Sequence, residues 1–209
     1  MRWPTVLKKL MMKIIIENEN SMRSSLGNAK KLSPSAGEYI LPNSTLANQQ
    51  LERWCWAAIA QGLTAYYHQN TIQQYEIASQ VLGFDCSAYT DSTDVSERCN
   101  INYNLDKALE AVNCYSHWSP GKPFFERVQF EISMGRPVCL RINWFKGDAH
   151  YVMINGFNAA NATLHIQDSL HGPSQIVYKH FPSKYRAGGV WAETYWTINK
   201  LSTQKTKNQ

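Results

Sequence analysis

Apolar residues recur at helical spacing through much of the first half of the chain. The alanine-rich run from Cys55 to Gln69 is the clearest case, and it predicts a helix that begins at Cys55. The same spacing predicts three further helices, at Gln73–Leu82, Leu105–Val112 and Phe124–Met134. The polar stretch from Phe84 to Asn104 is predicted to be an irregular loop.

The pattern changes in the second half, where short apolar runs are separated by Gly, Asn and Pro turns. These runs predict five strands, at Pro137–Asn143, His150–Phe157, Thr163–Asp168, Gln175–His180 and Glu193–Ile198. Helices followed by strands predict an α+β fold, with a cleft where the two halves meet.

Residues 1–35 have a pattern of their own. Apolar side chains from Trp3 to Ile15 fall on one face of a predicted helix, and the segment holds seven Lys or Arg against two Glu. We therefore predict a basic amphipathic segment and linker at 1–35, one main domain at 36–200 and a polar tail at 201–209. The segment fits a helix packed on the domain, a removable pro-segment, an export or chaperone-binding signal, or a helix that contacts a membrane surface.

The net charge of +5 resides in this segment, because residues 36–209 hold fourteen basic and fourteen acidic side chains. Nucleic-acid binding by the main domain is therefore not expected. No apolar run approaches the roughly 20 residues that a membrane span requires. Lys13 interrupts the apolar stretch and no cleavage site follows, so we expect a cytoplasmic protein or one exported without a Sec-type signal peptide. The sequence does not indicate an oligomeric state.

Three residues with complementary chemistry follow one another along the chain. Cys55 stands at a helix start, where unpaired N–H groups and the helix dipole favour the thiolate form. His150 opens one predicted strand, and Asp168 ends the next. A hairpin between these strands would bring the imidazole and the carboxylate to the same edge of a sheet. Cysteine, histidine and carboxylate in this arrangement are typical of nucleophilic catalysis.

The chain resembles the papain-like cysteine peptidases, and within them the bacterial AvrRpt2-like branch. The resemblance rests on Trp-Cys-Trp-Ala-Ala at 54–58, on the Ala-His pair that opens a strand at 149, and on the Asp one hairpin later. It covers roughly residues 36 to 199 and also includes the blocks at 105–109 and 131–138.

The resemblance implies a role for each matching residue. Cys55 would be the nucleophile, His150 the general base and acid, and Asp168 the group that orients the histidine. Gln49, six residues before Cys55, would be the side-chain oxyanion donor, although the adjacent Gln50 could compete for that role. His171, close to Asp168, is the substitute base to consider.

Beside Cys55 the chain has four other cysteines, which are Cys86, Cys99, Cys114 and Cys139. No Cys-x-x-Cys pair or Cys/His ligand box occurs, so we expect neither a metal nor a cofactor. The family resemblance includes cysteines near 86 and 99, which makes a disulfide between them one alternative. Without a recognisable secretory signal, however, free thiols are favoured.

The leading hypothesis is a cysteine peptidase that acts on a protein or peptide substrate. An acyltransferase or deamidase could use the same triad on the same broad fold, and a catalytically silent papain-like binding module is the third alternative. The Trp-Cys-Trp-Ala-Ala box and the presence of all four expected side chains favour the peptidase.

Overall fold

A computed structural model describes residues 37–201 of the protein. The predictions for residues 1–35 and for most of the polar tail therefore lie outside the described residues. The described part has five α-helices, α1 (Cys55–His68), α2 (Gln74–Leu82), α3 (Thr93–Cys99), α4 (Leu105–Ala111) and α5 (Phe125–Ser133). Its strands are β1 (Glu38–Ile40), β2 (Tyr115–Pro120), β3 (Val138–Trp144), β4 (Ala149–Asn158), β5 (Thr163–Gln167), β6 (Ser174–Val177) and β7 (Gly189–Thr197).

All strands pair antiparallel in one sheet, in the order β2-β7-β3-β4-β5-β6, and β1 pairs with β4. The prediction of an α+β fold is confirmed. Successive side chains of β3 point to opposite faces of the sheet, so they contribute to two hydrophobic cores. Cys139 packs among the residues of α1, α2 and α4, whereas Leu140 packs on the opposite face with Ile132 of α5.

Helix α1 is buried from Cys55 to Thr64, which agrees with its composition of alanine and large apolar residues. It lies close to the preceding loop at Gly62, where an added Cβ would sit 2.4 Å from the Leu46 side chain. The helix ends at His68, and the next residue, Gln69, adopts a left-handed conformation. Cys55 is therefore the first residue of a rigid element in the centre of the domain.

Several predicted boundaries were wrong. The expected loop at 84–104 contains α3, and the strands β1 and β2 were not foreseen. The predicted strand at Gln175–His180 ends at Val177 and continues as a 3-10 turn, and β7 begins at Gly189, before the predicted Glu193. A seven-residue helix or a strand of three to six residues carries little periodic signal, since periodicity is recognised over windows of about 11–18 residues.

Cys86 and Cys99 form a disulfide, so the preference for free thiols at these two positions was wrong. The bond closes a short loop around α3 and lies in the core, with both residues fully buried. In chain-entropy terms a loop of this size stabilises the folded state by roughly 3 kcal/mol.

Within residues 37–201, none of the helices combines the length and the hydrophobicity needed to cross a bilayer.

Candidate active site

Cys55 lies at the start of α1, between the helices and the sheet. The first hydrogen bond of the helix runs from the Ala58 N–H to the Trp54 carbonyl at 2.9 Å. The N–H groups of the three residues between them therefore have no acceptor within the helix. These free donors and the helix dipole favour a negative charge on or beside the Cys55 sulfur.

The segment at residues 99–101 holds the residues on both sides of Cys55. The Trp54 indole Nε1 donates to the Cys99 carbonyl at 2.7 Å, and the Trp56 Nε1 donates to the Ile101 carbonyl at 3.1 Å. The Arg53 backbone N–H donates to the Asn100 side chain at 2.8 Å. Both tryptophans are fully buried, so the position of Cys55 is fixed from the helix side and from this segment.

His150 occupies the second position of β4 and is 5% exposed. Its Nε2 lies 2.8 Å from Oδ1 of Asp168, which leaves Nδ1 for Cys55. Burial lowers the pKa of His150, but hydrogen bonds and charge interactions with Asp168 and Cys55 outweigh it and raise the pKa to about 9. The imidazole thus bonds to the carboxylate, and it lines one cavity together with the Cys55 thiol.

Asp168 follows β5 directly and is buried. Its Oδ1 accepts from His150 and from the backbone N–H groups of Leu170 and His171, at 2.9 and 3.1 Å. Its Oδ2 accepts from the Tyr185 hydroxyl at 2.8 Å. Burial raises the pKa of this carboxyl, but the bond to His150 and the other donors outweigh it and lower the pKa to about 2.

Aromatic rings cover the pair formed by His150 and Asp168. Trp144 stacks on the imidazole with a centroid distance of 6.2 Å and an interplanar angle of 18°. His171 meets the same imidazole edge-on at 6.3 Å, while its backbone N–H binds Asp168. Trp144 and His171 thus flank the imidazole, which is almost fully buried.

Gln49 lies in the loop before α1 and is linked to the residue after Asp168. Its backbone N–H donates to the Ser169 carbonyl, and its Oε1 accepts from the Ser169 hydroxyl, both at 3.0 Å. Its Nε2 donates to the carbonyls of Leu51, at 3.2 Å, and Glu52. The amide N–H groups therefore bind the protein's own loop here. Gln50 is exposed, and its backbone N–H bonds to Gln74.

Two cavities open beside Cys55. The larger, of about 650 Å³, lies between α4 and strands β2, β3 and β7, and it is lined by Trp56, Tyr103, Asp106, Trp118, Arg141, Tyr151, Glu193 and Tyr195 among others. The smaller, of about 240 Å³, lies on the side of His150 and His171. Asn102 lines both cavities, as do Cys55 and Trp144. An extended substrate peptide that occupied both cavities would pass next to the Cys55 sulfur.

The structure thus brings Cys55, His150 and Asp168 together and places Gln49 in the adjoining loop. Two features carried no sequence signal. The segment at 99–101 lies in a region that the sequence predicts as irregular, and Tyr185 stands in a polar turn far along the chain. Among residues 37–201, no group of three or more His, Cys, Asp or Glu side chains is arranged to hold a metal ion.

Comparisons with known proteins identify the family. A family model described as the papain-like cysteine protease AvrRpt2 matches residues 41–186. One similar solved structure is a double glycine motif protease from an AMS/PCAT transporter in complex with the leader peptide, at 17% identity and a TM-score of 0.45, with 73% of this chain and 89% of that chain covered. Another is xylellain, a cysteine protease from Xylella fastidiosa, at 11% identity and a TM-score of 0.44, with coverages of 78% and 86%. The search of curated proteins found no significant match.

Proposed function

The chain belongs to the AvrRpt2 family of papain-like cysteine proteases, and we propose that it hydrolyses peptide bonds of a protein substrate through Cys55, His150 and Asp168. The observation that carries the proposal is the position of His150, which bonds to Asp168 at 2.8 Å and lines the same cavity as Cys55. Gln49 is proposed as a side-chain donor to the oxyanion.

In the first half of the proposed reaction, the proton of the Cys55 thiol passes to His150. The thiolate attacks the carbonyl carbon of the substrate peptide bond, and the negative charge moves to the carbonyl oxygen. The unpaired Cys55 N–H at the helix start is positioned to donate to that oxygen. His150 then gives its proton to the leaving amine as the C–N bond breaks, and a thioester to Cys55 remains.

In the second half, a water molecule replaces the amine. His150 takes a proton from the water as it attacks the thioester carbonyl, and the same donors receive the oxyanion. The C–S bond breaks, the carboxylic acid product leaves, and the proton returns to the Cys55 sulfur. Asp168 stays ionised throughout, because its lowered pKa keeps it an acceptor for the imidazolium.

Gln49→Ala should lower kcat about a hundredfold and leave KM nearly unchanged. Loss of one oxyanion donor typically costs about 2.7 to 4 kcal/mol. We expect the lower end, because the Gln49 amide must give up the carbonyl of Leu51 or Glu52 before it can reach a substrate oxygen. Steady-state kinetics on a cleaved peptide give both constants.

Gln50→Ala is the matched control for this test and should retain wild-type kcat. If the large loss occurs with Gln50→Ala instead, the oxyanion role belongs to that residue. If neither variant loses activity, the backbone N–H groups of α1 suffice for the oxyanion.

A diverse peptide library, incubated with the full chain and analysed by mass spectrometry, tests the type of reaction. Hydrolysis yields two shorter peptides from one, deamidation adds one dalton to an intact peptide, and acyl transfer joins two peptides. The proposal requires cleavage products. Deamidated or cross-linked peptides without cleavage would assign the same residues to a different acyl-transfer reaction, and an unchanged library would favour a binding module.

We also propose that residues 36–200 form the catalytic domain. The support is that the family match covers 41–186 and that the sheet runs from β1 at Glu38 to β7 at Thr197. A chain that starts at residue 36 should therefore cleave the same peptide with a kcat/KM within about threefold of the full chain's. A tenfold or larger loss would show that residues 1–35 contribute to folding or to the substrate site.

Amino-terminal sequencing of the stored full chain and of its Cys55→Ala variant tests the pro-segment alternative. Loss of residues 1–35 in the wild type alone would support self-processing. Identical amino termini in the two preparations would exclude it.

A further inference from the structure

The Tyr185 hydroxyl contacts the edge of Asp168 that faces away from His150. It donates to Oδ2 at 2.8 Å, whereas His150, Leu170 and His171 all donate to Oδ1. A carboxylate bound through one oxygen can turn about its Cβ–Cγ bond. The bond to the second oxygen fixes the plane of the carboxylate, and with it the direction of the Oδ1 lone pair that the His150 N–H meets.

Tyr185 is itself rigidly held. It is 4% exposed, its ring meets Phe181 edge-on at 5.2 Å, and its backbone closes a turn in which the Gly188 N–H donates to the Tyr185 carbonyl at 2.8 Å. The Arg186 guanidinium lies over the ring, 5.2 Å from its centroid. The hydroxyl therefore approaches Asp168 from a preorganised position.

Trp144 connects Tyr185 with the imidazole from another direction. It stacks on Tyr185 at 6.4 Å and 22°, and on His150 at 6.2 Å and 18°. The ring orientations of Tyr185, Trp144 and His150 are thereby linked. The Asp168 carboxylate bonds to both Tyr185 and His150. Burial, together with the charge of Asp168, raises the pKa of Tyr185, so the phenol remains a donor.

We propose that Tyr185 is a positioning residue for the protease reaction, acting through Asp168 on the orientation of His150. This inference rests on the proposed function of the triad. It assigns a fifth side chain to the site, beside Cys55, His150, Asp168 and Gln49, and one that touches neither the substrate nor the sulfur. Tyr185 should therefore affect kcat and not KM, and only while the Asp168 carboxylate is present.

A double-mutant cycle tests the proposal. Tyr185→Phe removes the hydroxyl and keeps the ring, and it should lower kcat about tenfold with KM unchanged, as expected for the loss of one hydrogen bond to a charged group. In the Asp168→Ala background the same change should lower kcat less than twofold. Tyr66→Phe is the control, because it removes a tyrosine hydroxyl that bonds to the Gly135 carbonyl at 2.9 Å, outside the site.

If the turnover of Asp168→Ala is too slow to measure, the same four proteins are compared by the rate at which iodoacetamide alkylates Cys55 at pH 6. Equal losses from Tyr185→Phe in both backgrounds, or a wild-type kcat for the single variant, would overturn the positioning role. A wild-type kcat for Asp168→Ala would instead overturn the triad itself. The two failures are therefore distinguishable.

Discussion

Cys55→Ala should lower the rate of peptide hydrolysis by on the order of 10⁶, to the background of the assay. Loss of the nucleophile in other catalytic triads has an effect of this size, because the covalent route disappears entirely. The fold should persist, since alanine is the best helix former and the side chain at this position is small and at a helix start. Kinetics and thermal unfolding of the two proteins measure both expectations.

Cys114→Ala is the control for this variant, because Cys114 is a buried free thiol outside the candidate site. It should retain wild-type turnover. Residual turnover by Cys55→Ala above about one thousandth of the wild-type rate, at equal stability, would contradict a role for Cys55 as the nucleophile.

The same assignment predicts which thiol reacts with iodoacetamide at pH 6. Cys86 and Cys99 are paired in the disulfide, and burial raises the pKa of Cys114 to about 12 and that of Cys139 further still. Cys55, which lines the two cavities, should therefore be alkylated first. Peptide mapping of the modified protein identifies the site, and equally slow labelling of all free thiols would contradict an activated Cys55.

Asp168→Asn should lower kcat by on the order of 10²–10⁴, less than Cys55→Ala does. An amide cannot stabilise the imidazolium that forms at His150, and it can present its N–H₂ group to the ring in place of an acceptor. Asn155 takes no part in this contact, because its Nδ2 donates to the Ser44 carbonyl at 3.0 Å and to the Ser44 hydroxyl, whereas His150 bonds to Asp168. A near wild-type kcat for Asp168→Asn would require another orienting group.

The pH profile gives this prediction a second readout. Asp168 raises the pKa of His150, so its replacement should lower that pKa and move the alkaline limit of kcat/KM to lower pH. If the maximal kcat/KM falls and its alkaline limit stays at the same pH, Asp168 orients the imidazole but does not stabilise its charge.

The free energy of unfolding should depend on pH through His150 and Asp168. The raised pKa of His150 contributes stability that is complete below pH 6.5 and is lost as the pH rises through about 9. The lowered pKa of Asp168 contributes stability that is present above pH 3.8 and is lost as the pH falls through about 2. The difference in unfolding free energy between wild type and Asp168→Asn should thus be largest between about pH 4 and 6.5.

The parts of the site that the sequence could predict are those with local signals. A helix start at Cys55 and strand ends near His150 and Asp168 follow from the periodicity of neighbouring residues, and the antiparallel pairing of β4 and β5 brings the last two together. The contacts of Tyr185 depend on where a distant turn folds back, and no pattern within that turn encodes them.

The environment of Gln49 could not be predicted for a related reason. The family resemblance implied an oxyanion donor at Gln49, but the bonds to Leu51 and Glu52 depend on the conformation of the intervening loop. Likewise, the segment at 99–101 contacts Trp54 and Trp56 because a disulfide and a seven-residue helix shape its approach. Side-chain chemistry was predictable, whereas loop conformation was not.

The active thiol and the disulfide of this enzyme need opposite redox conditions. Cys55 must remain a free thiol, which calls for a reductant, yet the same reductant attacks the Cys86–Cys99 bond that anchors the carbonyl held by Trp54. Both disulfide sulfurs are buried, whereas Cys55 lines two open cavities. A dilute monothiol at moderate temperature should therefore preserve activity, and a concentrated dithiol applied while the protein is warmed should erase it.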